Sequence, residues 1–161
     1  MHSVYKLGLA AALCASSSMF FATDAHATDA NHSGTICKNY NGGEALDIDY
    51  EPYGTRNINA NSRYIICPIV RAPTSDNSAA VWVGGTHSNT SVTTTCTLYS
   101  YGFDPNTYRG SVSFTVSATS GDWERYLTLP SGQANYWDNL SLFCYIPGSA
   151  QSVITGIAVV Q

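Results

Sequence analysis

Three acids recur at every second position in GGEALDIDYEPYG, residues 42–54: Asp47, Asp49 and Glu51, with Ile48 and Tyr50 between them. Such a row suits two chemistries. A calcium ion takes about six to eight oxygen ligands, and carboxylates ~7 Å apart along a strand supply only part of that shell. Asp104 and Asp122, in turn segments, are the candidates for the rest. A glycosidase needs two opposed carboxylates, here Asp47 or Asp49 with Asp122 or Glu124, and nothing in the spacing selects a pair. A third reading needs no ligand. With Ala45, Asp47, Asp49 and Glu51 on the outer face, Leu46, Ile48 and Tyr50 pack inward, and the acids are the wet side of a half-exposed strand, where they also deter edge-to-edge pairing. The expected cofactor is therefore none, with calcium at Asp47, Asp49 and Glu51 as the alternative.

Other catalytic groups are sparse. Beyond the leader the histidines are His32, near the start, and His87, in the polar stretch THSN, where it reads as solvated. No G-x-S-x-G elbow accompanies His87, so a Ser-His-Asp hydrolase lacks its partners. The expectation is no catalytic residue and no enzyme.

The aromatics are more informative. The chain has 11 Tyr and 3 Trp against 5 Phe, a bias toward rings with a polar tip, which stack on flat apolar surfaces and hydrogen-bond at their edge. Tyr99, Tyr101, Tyr108, Trp123 and Tyr126 fall at strand ends or in loops, whereas Tyr64 and Trp82 read as core. Asn135-Tyr136-Trp137-Asp138-Asn139 sets two adjacent rings among amides and a carboxylate between two strands. Asn135, Tyr136, Trp137 and Asp138, with Trp123, form the predicted ligand site.

These groups need a scaffold, and the chain ends define its compartment. Lys6, the apolar stretch Leu7 to Phe21 and Ala25-His26-Ala27 make residues 1–27 a predicted signal peptide. Removing 27 of 161 residues leaves 134, enough for one domain. We divide this remainder into a flexible segment, 28–36, and a domain, 37–161, secreted or periplasmic and without membrane insertion after cleavage. Losing Lys6 and Asp24 keeps the net charge at -4, and Lys38, Arg56, Arg63, Arg71, Arg109 and Arg125 form no cluster. Nucleic acid is thereby excluded as a partner. Cys37, Cys67, Cys96 and Cys144 remain, with no close pair of the kind zinc takes, so they read as two disulfides. Of the three connectivities we favour Cys37 with Cys67 and Cys96 with Cys144, each closing one half of the chain.

Helical periodicity is absent and period-two patterning recurs. Strands are predicted over 45–50, 63–70, 79–83, 91–99, 111–117, 123–129, 140–146 and 153–160, with turn residues such as Gly42-Gly43, Gly84-Gly85 and Pro147-Gly148 at the joints. Residues 63–70 (RYIICPIV) read as buried on both faces. About eight strands without crossover helices specify an all-β fold, a single antiparallel β-sandwich of jelly-roll or immunoglobulin-like order with two disulfides.

With ICPIVR at 66–71, TTCTLY at 94–99 and LFCYIP at 142–147, the chain resembles a broad set of small secreted bacterial disulfide-containing β-sandwich proteins of unknown function. The shared motifs concern disulfides and core strands and imply no activity. Taken together, the residues point to an exported non-catalytic binding module for a glycan or another surface ligand, through loop aromatics. The alternatives are a structural, self-associating envelope or extracellular-matrix protein, and then a small secreted hydrolase.

Overall fold

The computed structural model describes residues 30–71, 77–104 and 106–160, and the predicted signal peptide lies outside them. Period-two burial makes the strands. In β7 (Thr94–Tyr101) every second residue, Thr94, Cys96, Leu98 and Ser100, is buried. In β10 (Asn139–Ile146) Leu140, Leu142, Cys144 and Ile146 point inward, as their spacing predicts. β5 (Arg63–Ile69) corrects the sequence reading: it buries Ile65, Cys67 and Ile69 but leaves Tyr64 and Pro68 exposed, so it covers the core with one face only.

The remaining long strands are β6 (Ala79–His87), β8 (Tyr108–Val116), β9 (Gly121–Leu129) and β11 (Ser152–Val160). Four short ones complete the set: β1 (Ala30–Ser33), β2 (Lys38–Asn39), β3 (Ile48–Glu51) and β4 (Gly54–Asn57). Three of these, β1, β2 and β4, are additions to the eight expected strands. Their polar and glycine-containing sequences carry no strand signal, and neighbouring strands order them. Ala30–Ser33, inside the stretch expected to be flexible, pairs with β11 from Val159 to Gly156.

The pairing is nested. β7 pairs with β8, β6 with β9, β5 with β10 and β4 with β11, all antiparallel, as if one long hairpin had been folded over itself. Wrapping that hairpin gives a front sheet in the order β2-β5-β10-β7-β8 and a back sheet in the order β3-β4-β11-β6-β9, with β1 also on β11. This is the jelly-roll order, which settles the choice left open above.

Between the sheets lie Ile65, Leu98, Leu142 and Ile146 from the front and Val81, Leu127, Leu129 and Ile157 from the back. Burying each such side chain stabilises the fold by ~1.5–3 kcal/mol. Both favoured disulfides are present, with S–S distances of 2.04 Å for Cys37–Cys67 and 2.06 Å for Cys96–Cys144. Cys96 and Cys144 face each other across the β7–β10 ladder, and Cys67 lies on β5, so both bridges belong to the front sheet. On the loop-closure model each contributes about 3.5–4 kcal/mol.

The opening stretch differs from expectation. Gly42–Asp47 is a 3-10 turn, β3 starts only at the buried Ile48, and Leu46, predicted to face inward, is 92% exposed. A 3-10 turn eclipses residues three apart, which brings Glu44 and Asp47 to the same side. There the Arg63 Nε lies 2.6 Å from Asp47 and 3.7 Å from Glu44. One guanidinium thus selects the turn over the alternating strand.

Candidate functional site

The acids of the first motif are occupied by arginines. From β4, Arg56 donates Nη2 to Asp49 Oδ2 and to Glu51 Oε1, each at 2.7 Å, across the hairpin register that sets Arg56 opposite Asp49. Asp47 accepts from Arg63 Nε at 2.6 Å and from Asn59 Nδ2 at 2.9 Å. Hydrogen bonds from Arg63 and Arg56 hold the Asp47 and Asp49 carboxyls below their ordinary value. Among the described residues no group of three or more His, Cys, Asp or Glu side chains is placed to hold a metal ion. A calcium site on Asp47, Asp49 and Glu51 would have to displace both guanidiniums.

The glycosidase pairing fails on topology. β3 and β9 are the opposite edges of the back sheet. Four interstrand spacings put Asp49 and Glu124 roughly 19 Å apart, whereas the two carboxyls of a glycosidase stand about 5–9.5 Å apart.

His87 is not a solvated loop residue. It ends β6 and is 2% exposed, with Nε2 2.9 Å from Thr94 Oγ1, which is in turn 2.8 Å from Ser152 Oγ. All three side chains are buried, so this chain of polar groups belongs to the interior and reaches no substrate. Burial lowers the His87 pKa from its ordinary value and keeps the ring neutral.

The predicted ligand residues divide. Trp123 is 4% exposed and belongs to the core, where its indole lies over Gly85 and meets Phe114 edge-on at 5.8 Å. It cannot serve as a platform, which corrects its assignment. Asp138 is also internal: its side chain is 2% exposed, its Oδ2 accepts from Asn135 N at 2.6 Å, and Arg109 Nε lies 3.5 Å from Oδ1. The carbonyls of Ala134 and Asn135 accept from Arg71. Asn135 and Asp138 therefore build the loop, and only Tyr136 and Trp137 present rings to solvent, in a T-shaped pair 4.5 Å apart. Trp137 also walls a wholly apolar hollow with Phe103 of the β7–β8 loop, which is 80% exposed.

The largest cluster of surface rings lies elsewhere, on the outer face of the front sheet. Alternation along β5, β10 and β7 turns outward the residues between the core positions: Tyr64 and Ile66, then Ser141, Phe143 and Tyr145, then Thr95, Thr97, Tyr99 and Tyr101. Register aligns them, with Tyr145 opposite Tyr64 and Thr95, and Phe143 opposite Ile66 and Thr97. The rings form an unbroken track. Centroids are 4.8 Å apart for Tyr145 and Tyr64, 4.9 Å for Tyr64 and Phe143, and 6.4 Å for Phe143 and Tyr99. The track continues at 6.2 Å from Tyr99 to Tyr101 and 5.6 Å from Tyr101 to Tyr108. From the β2 side Tyr40 stands edge-on to Phe143 at 4.7 Å.

Two shallow hollows of about 290 and 410 Å³ open along the track, and neither is lined by a charged residue. Hydroxyls border it, with Thr95 bonded to Thr115 at 3.0 Å and Thr97 to Ser113 at 2.7 Å. A surface of flat rings edged by neutral hydroxyls suits a ligand with apolar faces and a polar rim. Sequence reasoning placed Tyr64 in the core and passed over Phe143 and Tyr145. The alternation RYI-ICP and SLFCYI held the signal, because the cysteines Cys67 and Cys144 mark the inward face and their neighbours must point out.

No known family model matches the chain, and no curated protein matches it. Among solved structures the chain is similar to a xylan-binding module, CBM15, with a TM-score of 0.50 and 10% identity over 83% of this chain and 95% of that one. It is also similar to the C-terminal CBM6 of LamC, a marine laminarinase from Zobellia galactanivorans (TM-score 0.49, 16% identity, 83% and 100% covered). A third is the carbohydrate-binding module CBM36 in complex with calcium and xylotriose (TM-score 0.44, 15% identity, 81% and 99% covered). What is shared with the first is the fold. No helix among the described residues is long and apolar enough to cross a membrane.

Proposed function

We propose that this chain is an exported, non-catalytic module that binds a neutral, extended glycan along the front-sheet track. One observation carries the reading: six rings, Tyr145, Tyr64, Phe143, Tyr99, Tyr101 and Tyr108, run contiguously across a solvent face whose hollows have no charged lining. The C–H faces of sugar rings stack on aromatic faces, and their hydroxyls meet the tyrosine and threonine hydroxyls at the rim. An uncharged lining favours an uncharged polymer over an acidic one, since an ionised ligand would meet no counter-charge in the hollows. Trp137, with Tyr136 and Phe103, forms a separate exposed group where β7 ends and β10 begins.

The two disulfides agree with export to an oxidising compartment. Calcium has no part in this reading, because Arg56 and Arg63 already answer the three acids of the first motif. Xylan is the first polymer to try, since the similar solved structure with the same fold is described as a xylan-binding module.

The test is affinity electrophoresis of the mature chain, residues 28–161, in gels containing xylan, cellulose derivatives or laminarin, followed by titration calorimetry. Retardation by one polymer is expected, with Phe143→Ala weakening binding by about 30-fold, equivalent to ~2 kcal/mol. Absence of retardation on every polymer, together with concentration-dependent assembly in light scattering, would replace this reading with the structural, self-associating one.

A further inference from the structure

The back sheet carries a further hollow, of about 270 Å³, that the front-sheet reading does not use. Its floor comes from two neighbouring glycines. Gly84 of β6 stands opposite Gly156 of β11, and that row ends in Glu124 on β9. In the adjacent row Tyr126, Trp82, Ala158 and Asn31 follow one another across β9, β6, β11 and β1. Trp82, expected in the core, is instead 45% exposed, and Tyr126 supports its indole at 4.8 Å.

Gly156 follows the register shift at Thr155 in the β6–β11 ladder, but the protein's own atoms do not fill the space above either glycine. At Gly85 an added Cβ would run into the Trp123 indole, and at Gly34 into the Ile154 backbone. At Gly84 the nearest atom to such a Cβ is the rotatable Thr155 hydroxyl at 3.3 Å, and at Gly156 it is the His32 carbonyl at 3.6 Å. Neither residue has a positive φ. Glycine inside a strand weakens it, and where no backbone or side chain needs the space, the space is available to a ligand.

We infer that this trough is a second saccharide subsite, which takes one sugar ring flat on the Trp82 indole, over Gly84 and Gly156, with its hydroxyls donating to the Glu124 carboxylate and bonded by the Asn31 amide. Glu124 makes no ion pair among the described residues, so its oxygens are free to accept. Stacking on an exposed indole beside an acceptor carboxylate suits a ring with one apolar face and adjacent equatorial hydroxyls. The class of ligand rests on the glycan reading of the front sheet, but the site does not share a residue with it. Because the two sites lie on opposite faces of the sandwich, one molecule would bridge two glycan chains.

The experiment is ¹H–¹⁵N NMR of the mature chain titrated with xylohexaose, cellohexaose and laminarihexaose, in wild type and in a front-sheet triple variant, Tyr64→Ala/Tyr99→Ala/Phe143→Ala. In the triple variant, saturable shifts are expected to remain at Gly84, Gly156 and the Trp82 indole N–H with at least one probe. Trp82→Ala and Gly156→Val each abolish them, and Glu124→Gln, a surface change that leaves folding intact, weakens them about tenfold. Front-sheet shifts in wild type without any at Gly84 or Gly156 would overturn the second site and leave the first standing. Back-sheet shifts alone would keep this site and sink the first. Silence at both faces with all three probes would remove both.

Discussion

The front and back sheets close over one interior and turn very different faces to the solvent. Outside the front sheet are contiguous rings and hydroxyls, and behind them both disulfides. Outside the back sheet are arginine–carboxylate pairs near β3 and β4 and a glycine trough beside Trp82, with no disulfide behind them. The inward faces follow one rule, burial at every second position with mostly apolar residues, because one core serves both, and the His87–Thr94–Ser152 chain is its polar exception. The outward faces obey none in common, so it is there that the molecule differs from a generic jelly roll. A ring platform needs a backbone that does not flex under it, and the bridge joining β7 to β10 at Cys96 and Cys144, between Phe143 and Tyr145 in sequence, supplies that stiffness.

The largest predicted contrast is between two tryptophans on adjacent strands of the back sheet. Trp123→Ala empties a core position and should cost ~3–5 kcal/mol in denaturant unfolding. Trp82→Ala, on the outer face, should stay within ~0.5 kcal/mol. Equal effects would mean that the two rings are not on opposite sides of the sheet. Next, Cys96→Ala/Cys144→Ala should cost about 4 kcal/mol by the loop-closure model and also weaken glycan binding, because the track loses its brace. If stability falls and affinity holds, the bridge stabilises the domain without stiffening the platform.

Those tryptophans also mark where sequence reading reached its limit. The inward residues of β7 and β10, the two bridges and the sandwich class could be read because alternation and an even cysteine count are physical signatures of burial and oxidation. The outward rings were missed, since Tyr64 and Ile66 are as apolar as the core residues beside them and only the inward-facing Cys67 and Cys144 distinguish such a ring-bearing face from a strand buried on both faces. β4 was missed because GTRN has the composition of a turn. Its place is fixed by long-range bonds, Thr55 Oγ1 donating to the Gly34 carbonyl at 2.8 Å and Asn57 Nδ2 to the Pro147 carbonyl at 3.2 Å. The acid row misled for a related reason, since Arg56 reaches Asp49 and Glu51 only across the β3–β4 hairpin, whose β4 half was missed, and Arg63 reaches Asp47 from 16 residues away.

A smaller effect separates the track from the loop site. Phe143→Ala, at the centre of the track, should reduce affinity by about 30-fold, and Trp137→Ala, in the loop before β10, by about threefold, when both are measured by calorimetry against the same polymer. The reverse order would move the site to the Tyr136–Trp137 loop.

Acid should affect the two sheets in sequence. His87 joins the back sheet to Thr94 of the front, and its buried ring has a pKa below the 6.5 of the unfolded chain. The unfolded chain therefore binds the proton first. This contribution to stability is fully present above pH 6.5 and declines as pH falls below it, toward the lowered folded value. Thermal midpoints should fall from there in wild type and stay flat over the same range in His87→Gln.

The smallest effect lies lower still. Asp47 and Asp49, their pKa values lowered from 3.8 by Arg63 and Arg56, contribute above that value and lose the contribution as pH drops through their folded values. Both are surface carboxylates, so water and salt screen them. Asp49→Asn should therefore alter only the acid end of the profile, below about pH 4, and 1 M salt should abolish the difference from wild type. If the variant were instead markedly less stable at neutral pH and in high salt, Asp49 would be doing more than answering Arg56. Added calcium that stabilised the wild type and not the variant would then be the one result that brings the metal back to this hairpin.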